Sequence, residues 1–153
     1  MAKKRKPNLR GSTLATVDEQ GRLKIPTMFK DILVKSYGYD FFITSLTGDN
    51  VLVVPLTVWE AQEERLIKTA SLNPHRRRYL DRVNYYGSEV TMDKQGRILV
   101  PATLRDSATI RGQLRVLGKI DYLDVWNEER FAKRMSEEQI TEEDLLQLSG
   151  LGI

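Results

Sequence analysis

Two carboxylates and two guanidiniums at matching spacing are the side chains of this sequence best placed to do chemistry. Asp18 precedes Arg22 by four residues, and Asp93 precedes Arg97 by the same interval. A guanidinium can pair with a carboxylate, a phosphate or the edge of a guanine base through two parallel hydrogen bonds. The chain has one histidine, His75, and no cysteine, so the common donors of acid–base and thiol chemistry are scarce. The pattern favours anion binding over catalysis.

Catalysis and metal binding are also disfavoured by what the rest of the sequence lacks. It contains no glycine-rich phosphate loop and no cluster of metal-ligating residues. The two aspartates fit turn geometry better than acid–base work. We therefore predict a protein that is not an enzyme, with no catalytic residue, metal site, cofactor or small-molecule substrate.

The charge of the chain is unevenly distributed. Of 153 residues, 41% are hydrophobic, which is typical of a folded soluble protein, and no apolar run reaches the roughly 18 residues of a membrane span. The first ten residues carry five cations and no acid, whereas residues 127–153 carry seven acids and three bases. This asymmetry indicates either an anionic partner at one end or two solvated tails. We expect a cytoplasmic location.

An internal repeat organises the sequence. The segment TVDEQGRLKIP at 16–26 returns as TMDKQGRILVP at 91–101, at a constant offset of 75 residues. Thr, Asp, Gln, Gly, Arg and Pro are identical, and the apolar positions between them are equivalent. The chain therefore holds two copies of one small unit.

Each copy predicts a β-hairpin tip. Asp is a good first residue of a type I turn because its carboxylate accepts a backbone N–H two residues on. Gly three positions later can adopt a positive φ and close the loop. Asp18, Gly21, Asp93 and Gly96 are thus predicted to have structural roles in the turns. Side chains alternate along the flanking strands, so the apolar residues lie on one face. The other face carries Arg22 and Lys24 in the first copy, and Arg97 and Leu99 in the second.

The elements around the tips follow from proline, capping and periodicity signals. Helices are expected after both repeat prolines, in two segments that join the copies, and after Asn127. The first linking helix is predicted to start at a capping box formed by residues 57–60. The predicted helices after the prolines are 27–37 and 102–108, and the predicted strands beyond them are 41–45, 51–54, 113–117 and 122–126. The expected division is a basic extension at 1–9, hairpin domains at 10–58 and 87–130, a helical linker at 59–86, and an acidic C-terminal helix or tail at 131–153.

Neither copy is expected to fold alone. Some fifty residues with one hairpin and one short helix bury too little apolar surface to offset chain entropy. We therefore predict an α+β protein, mainly β, whose copies pack together with their strands interleaved about a pseudo-twofold axis, with linking and C-terminal helices.

The quoted motifs resemble a known family. Arg10-Gly11-Ser12-Thr13-Leu14, the turn from Asp18 to Arg22, Pro26 and the stretch from Pro55 to Glu60 resemble the first half of MraZ proteins. The turn from Asp93 to Arg97, Pro101-x-x-Leu104-Arg105 and the stretch from Val116 to Trp126 resemble the second half. The resemblance covers roughly residues 9–131.

The MraZ resemblance carries expectations about fold and function. It implies two tandem AbrB-like swapped-hairpin units, interleaved as a pseudo-dimeric small barrel. It implies a sequence-specific DNA-binding transcriptional regulator, usually a repressor, of the operon for cell division and cell-wall synthesis. It further implies a ring-shaped homo-oligomer that binds short direct repeats in double-stranded promoter DNA, located in the nucleoid.

Arg22 and Arg97 are the strongest candidates for DNA contact, because a two-stranded ribbon fits the major groove. The alternative is that each arginine only braces its loop by pairing with the turn aspartate. The second tip is the more basic, since Lys94 replaces Glu19. The complete set of DNA-binding candidates is Arg22, Arg97, Lys24, Arg10, Lys94, Lys30 and Arg105.

Other interpretations remain open at this stage. Lys30 and Arg105 could equally be solvated helix charges. The run Arg76-Arg77-Arg78 is expected to bridge to Glu60, Glu63 or Glu64, or to the next subunit, rather than to DNA. An antitoxin-like or scaffold protein on the same fold, and RNA binding, are the alternative functions.

Overall fold

The computed structural model describes residues 5–153, so part of the predicted basic extension, residues 1–4, lies outside the described residues. Within the described range the chain forms eight strands and six helices. The strands are β1 (Ser12–Thr16), β2 (Arg22–Lys24), β3 (Asp40–Thr44), β4 (Val51–Pro55), β5 (Ser88–Thr91), β6 (Arg97–Leu99), β7 (Gln113–Gly118) and β8 (Leu123–Asn127). The helices are α1 (Thr27–Tyr37), α2 (Leu56–Ile67), α3 (Pro74–Tyr85), α4 (Ala102–Ala108), α5 (Glu128–Glu137) and α6 (Glu142–Ser149).

The strands of the two copies exchange partners. An antiparallel six-stranded sheet has the order β1-β7-β8-β4-β3-β5, and β2 pairs with β6 in a separate two-stranded sheet. The first strand of each copy thus lies beside the hairpin of the other: β1 pairs with β7, and β5 pairs with β3. The middle of the large sheet is the contact between β4 and β8. This order is the same from either end, which is the pseudo-twofold arrangement that the repeat predicts.

Local signals set several helix boundaries. Pro26 and Pro101 stand immediately before α1 and α4, and both helices have the predicted bounds. The Asn73 side chain caps α3 by accepting from the backbone N–H groups of His75 and Arg76. A capping box joins Thr141 and Asp144 at the start of α6.

One capping prediction is wrong. Residues 57–60 resemble a capping box, but α2 begins at Leu56 with Pro55 as its N-cap residue and has no side-chain cap. The reason is tertiary: Pro55 is the last residue of β4, so the chain passes from strand to helix without a connecting turn.

A continuous apolar core lies between the large sheet, the β2–β6 ribbon and the helices that follow the ribbon. Leu23, Ile25 and their repeat equivalents Ile98 and Val100 are almost completely buried in it. A second cluster packs α2 and α3 on the sheet and is centred on Trp59. The main core is therefore shared by both copies.

Two parts of the predicted fold class are corrected. The sheet is not closed into a barrel, because β1 and β5 are its open edges. The short strands β2 and β6, which would have to join those edges, pair with each other instead. The protein is also not mainly β, since its helices contain more residues than its strands. It is a mixed α and β protein. No helix within residues 5–153 is long and apolar enough to span a bilayer.

Candidate nucleic-acid interface

The two repeat turns have the same internal geometry. Asp18 Oδ1 accepts hydrogen bonds from the backbone N–H groups of Gln20 and Arg22, each at 2.9 Å. Its other oxygen, Oδ2, accepts from Arg22 Nε at 2.9 Å. The second turn repeats all three bonds at 2.9 Å, with Asp93 as the acceptor and Gln95 and Arg97 as donors. Gly21 and Gly96 close the turns with φ of 82° and 77°, a conformation that favours glycine.

These hydrogen bonds shift the ionisation of both aspartates. The backbone N–H of Arg22 contributes most to holding the pKa of Asp18 below its ordinary value, and the Arg22 side chain adds to it. The backbone N–H and side chain of Arg97 lower the pKa of Asp93 in the same way. Both turns are therefore held by ionised carboxylates at neutral pH.

The turns lie at opposite ends of the β2–β6 ribbon. Gly21 O accepts from Val100 N at 2.9 Å, and Gly96 O accepts from Ile25 N at 2.8 Å. In the ribbon Leu23 is opposite Ile98, and both face the core. The outward face consists of Arg22 opposite Leu99 and Lys24 opposite Arg97. Three cations and one half-exposed leucine thus occupy one small surface.

Helices from the opposite copy add a cation to each turn. The Arg105 guanidinium, on α4, lies directly against Gly21. Lys30, on α1, runs its side chain across Gly96, where a Cβ would lie 2.9 Å from Lys30 Cδ. Each tip is therefore completed by a basic residue of the other repeat. This contact brings two of the weaker sequence candidates to the arginines of the turns.

The remaining candidates divide into two groups. Lys24 lies on the outward ribbon face and Lys94 in the second turn, and both are exposed. Arg10 is also exposed but precedes β1, at the end of that strand away from the turn, where Arg10 Nη1 lies 3.5 Å from Asn8 O. The structure therefore gathers six of the seven candidates around the ribbon and leaves Arg10 apart.

Sequence reasoning missed the contacts between the two copies at this site. Arg97 Nη1 lies 3.8 Å from Asp18 Oδ2, so the second arginine approaches the aspartate of the first turn. Arg105 Nε is buried and has no hydrogen-bond partner among the described residues. The constant offset of 75 residues signals equivalence of the copies, but it does not say that each copy completes the tip of the other.

The expected bridge between α3 and α2 is absent from residues 5–153. Arg76 donates to the carbonyl oxygen of Thr69 at 2.9 Å, and Arg78 Nη2 lies 3.1 Å from His75 Nδ1. No carboxylate lies within 4.0 Å of either arginine in this range. The arginines of α3 thus retain unneutralised charge outside the ribbon.

Comparison with known proteins identifies the family. A transcriptional regulator MraZ of Acidobacterium capsulatum is 44% identical over 144 residues, which span 94% of this chain and 99% of the relative. The chain belongs to the MraZ family. A transcriptional regulator MraZ of Koribacter versatilis is 40% identical over 94% of this chain and 99% of its own length. The corresponding protein of Pectobacterium atrosepticum is 32% identical over 89% of this chain and 93% of its own length.

A family model agrees with these relatives. The model described as "MraZ protein, putative antitoxin-like" matches residues 87–147, which include the second turn, α4 and α5. Transcriptional regulators are not enzymes, so the MraZ relatives confirm the prediction of a non-enzymatic protein. The family resemblance inferred from the repeat motifs is likewise confirmed.

Proposed function

We propose that this MraZ family member is a DNA-binding transcription regulator that contacts double-stranded promoter DNA with the β2–β6 ribbon. The observation that carries the proposal is the outward face of the ribbon, on which Arg22, Lys24 and Arg97 lie together. A two-stranded ribbon is narrow enough for the major groove, where arginine pairs with guanine O6 and N7. The MraZ relatives are named transcriptional regulators, which supports the same function for this chain.

The ion pairs in the turns are compatible with DNA contact. Asp18 engages Arg22 through Nε, and among the described residues the two Nη atoms of Arg22 donate no hydrogen bond. Arg97 is held by Asp93 through Nε in the same way. Each aspartate therefore fixes the direction of a guanidinium through Nε, which leaves both Nη atoms of Arg22 for a base or phosphate, whereas Arg97 Nη1 also lies 3.8 Å from Asp18 Oδ2. Bracing and binding are two parts of one function, since a preorganised side chain loses less entropy on binding.

The cations around the ribbon supply the contacts to the DNA backbone. Lys94 extends the surface at the second tip, and Lys30 and Arg105 flank the two turns. Such side chains fix register on the duplex without specifying sequence. Arg10, at the far end of β1, has a peripheral place in this scheme.

The domain organisation belongs to the same proposal. The exchange of β1 and β5 between the copies supports two interleaved swapped-hairpin units, at 10–58 and 87–130. The linker 59–86 joins these units, and the segments 1–9 and 131–153 flank them. One ribbon offers few base contacts. A homo-oligomeric ring that binds short direct repeats increases affinity, because its several ribbons act at a high effective concentration.

We further propose that the protein represses the operon for cell division and cell-wall synthesis and is located in the nucleoid.

The test is a titration of the DNA upstream of the chain's own coding region, followed by fluorescence anisotropy at physiological salt. Wild-type protein should bind this DNA more tightly than random duplex of equal length. Lys24→Ala should weaken binding to both DNAs alike and lower the salt slope by about 0.9, since it removes a phosphate contact. Lys68→Ala is the matched control, because Lys68 is exposed at the end of α2, away from the ribbon.

The titrations test the regulatory function and the location of the DNA contact separately. Equal affinity of the wild type for promoter and random DNA contradicts a sequence-specific regulator. Preference for promoter DNA that survives unchanged in Arg22→Ala and Arg97→Ala, with both variants folded, places the contact outside the ribbon. Circular dichroism establishes folding in each variant.

A further inference from the structure

An apolar cleft lies on the face of the large sheet that is turned away from the main core. Side chains alternate along β4: Val53 is part of the main core, whereas Leu52 and Val54 face the other way. The helices α2 and α3 cover part of this outer face and leave a cleft of about 340 Å³ beside Trp59. Small-molecule sites in proteins have volumes of about 300–1,000 Å³. The cleft is therefore large enough for a small ligand and lies on the opposite face of the sheet from the ribbon.

Stacked aromatic rings form one wall of the cleft. The Trp59 ring stacks on Phe42, with ring centroids 4.7 Å apart, and on Tyr79, with centroids 6.5 Å apart. Trp59, Tyr79 and Tyr122 all line the cleft, together with the aliphatic side chains of β4. Because the indole is fixed between two neighbours, the wall is preformed. A wall of this composition suits a large apolar group.

Two opposite charges lie at the cleft and are not paired with each other. Arg65 and Asp121 are the charged residues that line it, and both also line an adjoining cleft beside Tyr37. Within residues 5–153, no carboxylate lies within 4.0 Å of Arg65 and no cation lies within 4.0 Å of Asp121. Burial raises the pKa of Tyr37, and the charge of Asp121 raises it further. A single molecule that carries both charges would pair with both residues.

The repeat contains an equivalent of Asp121 whose charge is paired. Asp49 precedes β4 by two residues, as Asp121 precedes β8. Arg130, in the first turn of α5, lies 3.1 Å from Asp49. The corresponding position in the first turn of α2 is Val58, which lines the cleft. Asp121 thus lacks the internal partner that its equivalent has, and an apolar side chain stands in the place of that partner.

We propose that the cleft binds a free amino acid with a large apolar side chain. The ammonium group of the ligand pairs with Asp121 and its carboxylate pairs with Arg65, through charge-assisted hydrogen bonds. The apolar side chain of the ligand packs on Trp59 and Tyr79, where it removes apolar surface from water. A simple amine or a simple carboxylate would satisfy one of the two charges and leave the other unpaired. This site goes beyond the DNA contact of the ribbon and does not depend on it.

A matched series of small molecules tests each part of the ligand on the wild-type protein. The probes are leucine, phenylalanine, phenethylamine, which lacks the carboxylate, phenylpropionate, which lacks the ammonium, and glycine, which lacks the apolar side chain. Isothermal titration calorimetry should show binding of leucine and phenylalanine, binding about 10-fold weaker for the two singly charged probes, and none for glycine. Failure of both apolar amino acids to bind, or equal affinity for a singly charged probe, overturns the proposal.

Two substitutions locate the charged contacts. Asp121→Asn and Arg65→Gln each remove one charge and keep a polar side chain, and each should weaken phenylalanine binding by about 10-fold. The Asp121 variant should no longer distinguish phenylalanine from phenylpropionate, and the Arg65 variant should no longer distinguish it from phenethylamine. Asp31→Asn and Lys68→Gln, at exposed sites that do not line the cleft, are the matched controls. Wild-type discrimination in both folded cleft variants overturns the proposal.

Tryptophan fluorescence places the ligand without changing either charged residue. The chain has two tryptophans, Trp59 and Trp126, so Trp126→Phe leaves the ring of the cleft wall as the single tryptophan. Its emission should change with phenylalanine concentration at the midpoint found by calorimetry. Wild-type protein should show the same change above the constant emission of Trp126. Binding that leaves the emission unchanged in both proteins puts the ligand outside the cleft and overturns the proposal.

The DNA titration distinguishes failure of the ligand site from failure of the proposed function. Amino-acid binding by a protein that shows no preference for promoter DNA supports the cleft and contradicts the regulator. Preference for promoter DNA without any amino-acid binding contradicts the cleft and leaves the regulator intact.

Discussion

The first and second turns have the same hydrogen bonds and different surroundings. In each, one carboxylate accepts two backbone N–H groups and one arginine Nε, all at 2.9 Å. Around this common frame, Glu19 in the first turn corresponds to Lys94 in the second. The first glycine is covered by a guanidinium and the second by a lysine stem. The hydrogen bonds that build the turn are thus the same in both copies, whereas the charged side chains around the turn differ between them.

This difference separates what builds the ribbon from what binds to it. The aspartates and glycines are inside the turns and have equal roles in both copies. The residues that differ lie at the outer surface, where they change the local potential without changing the fold. Substitutions of the matched aspartates should therefore have equal effects on stability, whereas substitutions of the surface residues that differ should have unequal effects on DNA binding.

The largest effect is expected from the two ribbon arginines. Arg22→Ala or Arg97→Ala should each lower promoter affinity by about 5- to 140-fold, which corresponds to about 1–3 kcal/mol for a bidentate contact. Arg65→Ala, an exposed arginine on α2, is the matched control. Anisotropy titrations at constant salt measure the losses. A loss for only one arginine would show that a single tip contacts DNA.

The next largest effect concerns the turn glycines, and the part of it that comes from the backbone should be the same in both copies. Gly21→Ala and Gly96→Ala place a Cβ at positive φ, at a cost of about 1–2 kcal/mol. The added Cβ also meets the Arg105 guanidinium in the first turn and the Lys30 stem in the second. Thermal unfolding should show Tm lowered by about 2–8 °C.

Gly112→Ala is the control for these two substitutions. Gly112 also has a positive φ, but a Cβ there has nothing within 4 Å. The Tm change of Gly112→Ala, subtracted from that of each turn variant, leaves the part of the destabilisation that comes from displacing Arg105 or Lys30. A Tm equal to wild type in either turn variant would contradict the requirement for glycine in that turn.

A smaller effect should follow from exchanging the charges that distinguish the turns. Glu19→Lys should strengthen DNA binding and Lys94→Glu should weaken it, since each changes the charge facing the phosphates. We expect the slope of log affinity against log salt to change by about 0.9 for each phosphate whose neutralisation is added or removed. Both residues are exposed, so Tm should stay within the error of the measurement. Weaker binding by Glu19→Lys, or stronger binding by Lys94→Glu, would contradict the assignment of that tip to DNA.

The sequence predicted the local features of this site and missed the non-local ones. The Asp–Gly spacing determines each turn, and proline before α1 and α4 determines where these helices start, because both signals act within a few residues. The open sheet could not be predicted this way, because it depends on a long-range pairing: β2 pairs with β6 and not with an edge strand of the large sheet. The contact of Arg105 with Gly21 joins residues that are 84 positions apart. Repeat symmetry shows that equivalent contacts exist, but it does not say which copy provides the partner.

The smallest expected difference lies in the pH dependence of stability, where the two turns should behave alike. The folded-state pKa of Asp18 and of Asp93 is lowered, first by a backbone N–H and then by the arginine. Their stabilisation is therefore complete above the unfolded pKa of about 3.9 and is lost as the pH falls through the lower folded-state pKa. Asp18→Asn or Asp93→Asn should lower Tm at pH 7 and reduce the fall in Tm between pH 5 and pH 3, equally in both turns. Differential scanning calorimetry at these pH values measures the Tm of each variant. A Tm that changes for one aspartate variant alone would show that the two turns, despite equal hydrogen bonds, do not contribute equally to the stability of the fold.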